Sequence, residues 1–199
     1  MMSKLIILIL FIFGIIFNES SGKPPITKPT ITKKKEPVVF DIKKNILTGD
    51  SQTPFVAKWS TKSCLLNKKG SETALWKGGM GLNWLKKSIS NYPKDSTIQS
   101  VTFCIGTNGR FSLSDDIKGL VEITKENFPN AKLFVIKGSW GWGGNINVVE
   151  STVNIYYSKF SELGVVVVNP PIGKCSEPHN PNLPQYKEIA KNLDSLLSI

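Results

Sequence analysis

Three short stretches of this chain carry residue types able to do chemistry together. The first, residues 45–59, begins NILTGDS: an apolar pair, Ile46 and Leu47, runs into Gly49-Asp50-Ser51, and a helix-like segment follows. A strand that stops at glycine and hands a serine to a helix start sets a hydroxyl beside free backbone N–H groups at the carboxyl end of a sheet. Open α/β proteins bind their ligands there. The second stretch is Gly106-Thr107-Asn108-Gly109, directly after the apolar run VTFCI, and the third is Ser176-Glu177-Pro178-His179, which holds the only histidine of the 199 residues. A serine hydroxyl becomes a nucleophile when an adjacent base removes its proton. If Ser51 works with an imidazole base, no residue other than His179 can supply it. Taken alone, Ser51 reads as an ordinary helix-capping serine.

The elements that have to position these residues alternate along the chain. Apolar runs within 38–47, 73–76, 98–105, 132–136 and 164–168 are rich in Val, Ile and Phe with little polar alternation, as in strands covered on both faces. Between and after them, 54–66, 82–90, 114–128, 148–163 and 184–197 are expected to be helices. Leu82, Leu85 and Ile89 recur at helical spacing, as do Ile117, Leu120, Val121 and Thr124, and Ser114-Asp115-Asp116 is a suitable helix start. Five strands, each followed by a helix, predict an α/β domain with a parallel sheet and helices on both faces. The loops after the strands then converge on one edge.

Read in order, those loops offer Ser51, a glycine loop at Lys77-Gly78-Gly79-Met80-Gly81, Asn108 and, before the last helix, His179. This series resembles the SGNH, or GDSL-like, hydrolase superfamily over residues 45–197. The resemblance implies a three-layer α/β/α sandwich of flavodoxin-like type with a five-stranded parallel sheet. It also implies a serine esterase without cofactor, with Ser51 as nucleophile and His179 as general base. Its oxyanion donors are the backbone N–H groups of Ser51 and Gly79 and the side-chain amide of Asn108; Gly79 is preferred to Gly78 and Gly81 by its distance from the next helix. One position departs from the family: an Asp usually stands three residues before the His, and here that residue is Ser176, followed by Glu177. Either Glu177 or a Ser176 or backbone oxygen orients the imidazole, or the site has decayed into a glycan-binding module.

A fourth loop, KGSWGWGGN at 137–145, sets Trp140 and Trp142 one residue apart among glycines. Flat aromatic faces stack on sugar rings, which makes a carbohydrate ester, an acetylated one for example, the expected substrate. The alternative is that one of the two packs over the sheet edge. Arg110 is a candidate for a carboxylate on an acidic sugar, or else a solvated loop residue.

The remaining composition bounds the setting. Residues 1–22 have a basic start, thirteen uncharged, mostly large apolar residues from Leu5 to Phe17, and a small polar end. This is the layout of a secretory signal peptide or a short anchor, and implies a secreted or membrane-tethered protein. Residues 23–44, rich in Pro, Thr and Lys, read as a solvated linker, with seven lysines against Glu36 and Asp41. Residues 45–199 form the domain, expected to act as a monomer on a carbohydrate ester without nucleic-acid partners. No His/Cys/carboxylate spacing suggests a metal site. Of the three cysteines, Cys104 reads as a buried thiol, and Cys64 with Cys175 is the one pair worth considering. Thr53 stands where an α/β-hydrolase elbow needs its second glycine, and no G-x-G-x-x-G follows the first strand.

Overall fold

The computed structural model describes residues 41–66 and 75–198. The expected signal segment, and the linker up to residue 40, lie outside the described residues. The linker's end does not stay extended: Ile42–Lys44 form a 3-10 turn, closed by Lys43 N–H donating to the Asp41 carboxylate at 3.1 Å, and this turn leads straight into the sheet.

The first strand, β1, covers Asn45–Gly49, and every residue of it is buried. β2 is Cys64–Leu65, β3 is Ser100–Ile105, β4 is Lys132–Lys137 and β6 is Val166–Val168. They form one parallel sheet in the order β2-β1-β3-β4-β6. The expected five-stranded parallel architecture is thus the observed one, but the edge strand at β2 is not the expected segment. Leu75 and Trp76 reach the sheet only as an isolated bridge from Trp76 to Gly49, while 73–74 lie outside the described residues.

The reason lies in the short first helix. α1 covers Thr53–Ala57 rather than 54–66. Beyond it, Ser60 Oγ accepts from the Ser63 backbone N–H at 3.1 Å, offering the chain an alternative to continued helix. Asp194 then accepts from Ser60 Oγ at 2.5 Å and from Thr61 N–H at 2.7 Å. Pinned there, the chain turns back to pair Cys64 with Ile46.

The other helices match their expected positions to within a few residues: α2 is Leu82–Ser90, α3 Ile117–Asn127, α4 Glu150–Glu162 and α5 Pro184–Leu196. Strand residues alternate between the two faces, as a pleated sheet requires. Val101, Phe103 and Ile105 of β3 pack with α2, α3 and α4 through Leu85, Leu120 and Phe160. Cys104 of β3 and Phe134 and Ile136 of β4 face the opposite layer, with Val56 of α1 and Tyr186, Ile189 and Leu193 of α5. Two helix layers therefore enclose the sheet, and the loops after β1, β3 and β4 meet at its carboxyl edge.

A second, two-stranded parallel ladder was not expected. β5 (Ser139–Trp140) pairs with β7 (Gly173–Lys174) and braces the loop after β4 against the segment leading to His179. All three cysteines are free thiols. Cys64 lies on the edge strand, and Cys175 donates its N–H to Trp140 O at 2.9 Å beyond the end of β4. With β1 and β3 between β2 and β4, the two are separated by roughly 14 Å at the usual strand spacing, twice the reach of a disulfide.

Candidate active site

Ser51 sits in the turn between β1 and α1, which is held from both sides. Asp50 N–H donates to Cys104 O of β3 at 2.9 Å, and Thr53 N–H donates to Asp50 O at 3.2 Å. From 128 residues further along the chain, His179 brings Nε2 to 3.1 Å from Ser51 Oγ. In the tautomer with its proton on Nδ1, the ring accepts the serine proton at Nε2. Ser51 is half-buried and His179 exposed, so the pair opens to solvent.

The segment carrying His179 is fastened at several points. Tyr186 OH of α5 donates to Pro178 O, Trp59 Nε1 donates to Pro181 O at 3.1 Å, and Lys58 Nζ donates to Asn182 Oδ1 at 3.0 Å. Neither Glu177 nor Ser176 hydrogen-bonds the imidazole; both side chains are exposed, and Ser51 is the ring's one hydrogen-bond partner among the described residues. Aromatic edges flank the ring instead. Trp142 lies 5.2 Å away, centroid to centroid, at 76°, and Phe55 lies 6.3 Å away at 67°.

The other expected residues divide. Asn108, exposed on the 3-10 turn Thr107–Gly109, donates one amide N–H to Met80 O at 3.0 Å, joining its loop to the glycine loop and leaving its second N–H uncommitted. In the glycine loop, Gly78 lies against the serine: a methyl group built on it comes to 3.6 Å from Ser51 Cβ, whereas one on Gly79 meets nothing within 4 Å. Trp140 is not a ligand platform. It is 5 % exposed and packs into the core with α4, because the β5–β7 ladder draws its residue into the second sheet. Trp142 remains half-buried beside His179. Arg110 is exposed; its guanidinium lies over Gly144, and no acid pairs with it among the described residues.

Two buried residues add to the expected set: Gln52, which was not foreseen, and Asp50, whose nearness to Ser51 suggests a role in shaping the turn. Gln52, fully buried behind Ser51, accepts at Oε1 from Thr107 Oγ1 and from Ser139 N–H, each at 3.3 Å, and donates Nε2 to Ser139 Oγ. Ser139 Oγ also accepts Trp142 Nε1 at 2.8 Å. One buried amide thus ties the serine turn to the Asn108 loop and to the indole beside His179. A glutamine after a serine carries no distinctive sequence signal, so only its burial reveals the role.

The second is Asp50, 1 % exposed. Its Oδ1 accepts Gln52 N–H at 2.9 Å and its Oδ2 has no partner. Burial pushes its carboxyl up to about 7, the bond from Gln52 opposing only in part. The folded state therefore holds a proton that the unfolded chain, with an ordinary value of 3.8, releases. This contribution is complete below pH 3.8 and is lost as pH rises through 7, worth at most on the order of 4 kcal/mol. Asp50→Asn, neutral at every pH, is expected to flatten the dependence. In thermal melts of the full chain, the wild type should lose several degrees between pH 5 and pH 8 while the variant changes little, and a wild-type melting temperature that rises over that interval would rule the assignment out.

No protein-family model matches the sequence, and no curated protein matches it. Among solved structures, the chain is similar to a family two carbohydrate esterase from Clostridium thermocellum in complex with cellohexaose. Identity is 19%, the TM-score is 0.43, and the match covers 77% of this chain and 62% of that one. An active site mutant of a family two carbohydrate esterase from the same organism matches at 18% identity and a TM-score of 0.42, over 77% and 62%. A third structure, of a carbohydrate esterase whose active site displays divergent catalytic and non-catalytic binding functions, matches at 14% identity and a TM-score of 0.38, over 78% and 68%. The chain thus spans a little over three fifths of the length of the first two.

Proposed function

We propose that this protein is a serine esterase of the SGNH type that removes acyl groups, acetyl among them, from a carbohydrate. The observation that carries the reading is the 3.1 Å approach of Ser51 Oγ to His179 Nε2 at the carboxyl edge of a parallel sheet. His179 takes the serine proton as Oγ bonds to the ester carbonyl carbon. The oxyanion accepts from the backbone N–H groups of Ser51 and Gly79 and from the Asn108 N–H not committed to Met80. When the carbon–oxygen bond to the sugar breaks, His179 returns the proton to the departing hydroxyl. Water then attacks the acyl-enzyme, giving its proton to His179, and Ser51 recovers that proton as the free acid leaves. Trp142, half-buried beside the imidazole, supports a ring-bearing alcohol as leaving group.

One observation favours a second reading, a glycan-binding module with a silent serine: among the described residues no acid hydrogen-bonds His179. A fluorophosphonate probe separates the two, because it labels only an activated serine. Incubated with the full chain and followed by intact mass, it is expected to add once to the wild type and not to Ser51→Ala. A folded wild type that stays unlabelled would make the binding module the better account.

A further inference from the structure

A cavity of about 400 Å³ lies between the end of α1 and the outer face of α5, and Trp59, Thr61, Lys187, Lys191 and Asp194 help to line it. Its position follows from α1. Phe55 presents an edge to His179, and Trp59 comes four residues later in a turn continued by Trp59 N–H donating to Val56 O at 3.0 Å. The indole stands beyond the end of α1 and lines the cavity. Its Nε1 bond to Pro181 O fixes the ring to the loop that carries His179.

The charge around this ring is one-sided. Lys58 Nζ and Lys187 Nζ stand 5.0 and 5.7 Å from the Trp59 ring centroid, and Lys191 follows Lys187 by one turn of α5. Like charges at this spacing oppose each other on a helix. Three lysines elsewhere are ion-paired, in Lys86–Asp116, Lys94–Glu126 and Lys118–Glu122, while Lys125 and Lys137 donate to neutral oxygens. Here Lys58 lies over the Trp59 ring and donates to the neutral Asn182 amide oxygen, and no ion pair among the described residues includes Lys58, Lys187 or Lys191. Asp194, the acid of the cavity wall, accepts from Ser60 Oγ, Thr61 N–H and Thr61 Oγ1. Glu188 and Asp194 stand three residues before and after Lys191 on α5, at the spacing of helix neighbours, but neither forms an ion pair with it among the described residues. In the loop after β3, Arg110 also has no acid partner among the described residues, while Glu177 is the exposed acid nearest the imidazole in sequence.

We infer that this cavity binds a sugar ring bearing a negative group, and that the substrate is an anionic saccharide whose acylated residue reaches Ser51 while a neighbouring residue occupies the Trp59 cavity. The naming of a substrate rests on the esterase reading, whereas the binding of an anionic saccharide does not. Trp59 supplies an apolar face for the ring, and Lys187 and Lys191 supply the charge. Carboxylate and sulfate groups share this chemistry.

Isothermal titration of the full chain carrying Ser51→Ala separates the sources, using a galacturonic acid pentamer with carboxylates alone, a κ-carrageenan hexamer with sulfates alone and a neutral xylopentaose. At least one anionic oligomer is expected to bind ten-fold or more tightly than xylopentaose, and to weaken at 0.5 M salt. Lys187→Gln/Lys191→Gln, two changes at exposed positions, should lower that affinity about ten-fold, with unchanged circular dichroism. Equal binding of neutral and anionic oligomers, no binding of either anion, or an unaffected double variant would each overturn the inference. If fluorophosphonate labelling fails while the anion still binds in a lysine-dependent manner, the esterase reading falls and the saccharide site stands.

Discussion

His179→Ala is expected to lower kcat/KM for an acetylated oligosaccharide at least about 10³-fold, with most of the loss in kcat. General base catalysis commonly contributes 10²–10⁴-fold, and no second imidazole exists in the chain to compensate. Ser51→Ala should cost as much, and the double variant no more than either single change, because the two groups act as one unit. Trp142→Ala provides the graded control. It removes the indole, whose centroid lies 5.2 Å from that of the imidazole, while leaving Ser51 and His179 intact, and should reduce kcat roughly ten- to hundred-fold with partial rescue by Trp142→Phe. Initial-rate measurements on the five variants and the wild type decide the matter: residual activity of His179→Ala within ten-fold of wild type would remove the imidazole from the mechanism.

Gly49→Ala is expected to destabilise the fold by at least about 4 kcal/mol. Gly49 ends β1 at φ +137°, a conformation side chains rarely adopt, and a Cβ there would stand 2.0 Å from the Cys104 carbonyl oxygen on β3. That neighbour is sheet backbone, itself accepting Asp50 N–H at 2.9 Å, and cannot move aside without releasing the serine turn. Backbone strain of about 1–3 kcal/mol adds to a steric cost above the 1–3 kcal/mol of ordinary overpacking, so at least about 4 kcal/mol is expected out of a typical 5–15. Gly164→Ala isolates the strain alone, since Gly164 has φ +78° but nothing within 4 Å of an added Cβ. It should cost about 1–2 kcal/mol. Urea titrations of the two variants compare them, and a Gly49→Ala protein as stable as Gly164→Ala would show that the strand end is not sterically closed.

The residues of the sequence determined much of this protein through short-range physics. Unalternating apolar runs at 100–105 and 132–137 specify strands buried on both faces, and Leu82-Leu85-Ile89 spacing specifies α2. Because parallel strands deliver their following loops to one edge, the order Ser51, glycine loop, Asn108, His179 was enough to expect a shared site. Tertiary structure alone decided what surrounds it. β2 and the β5–β7 ladder are two-residue pairings, too short for any periodic pattern, and they exist because distant segments lie beside them. Trp140 and Trp142 look alike in sequence, yet Gly141, at φ +86°, turns the chain between them, so that one fills the core and the other borders His179. Burial, which no local pattern reports, makes Gln52 a link between three loops and pushes Asp50 up to about 7. Periodicity and turn chemistry act over a few residues and can be read along the chain; burial and side-chain partnership are set by residues far along it, 134 positions in the case of Ser60 and Asp194, and become definite only when the chain has closed around them.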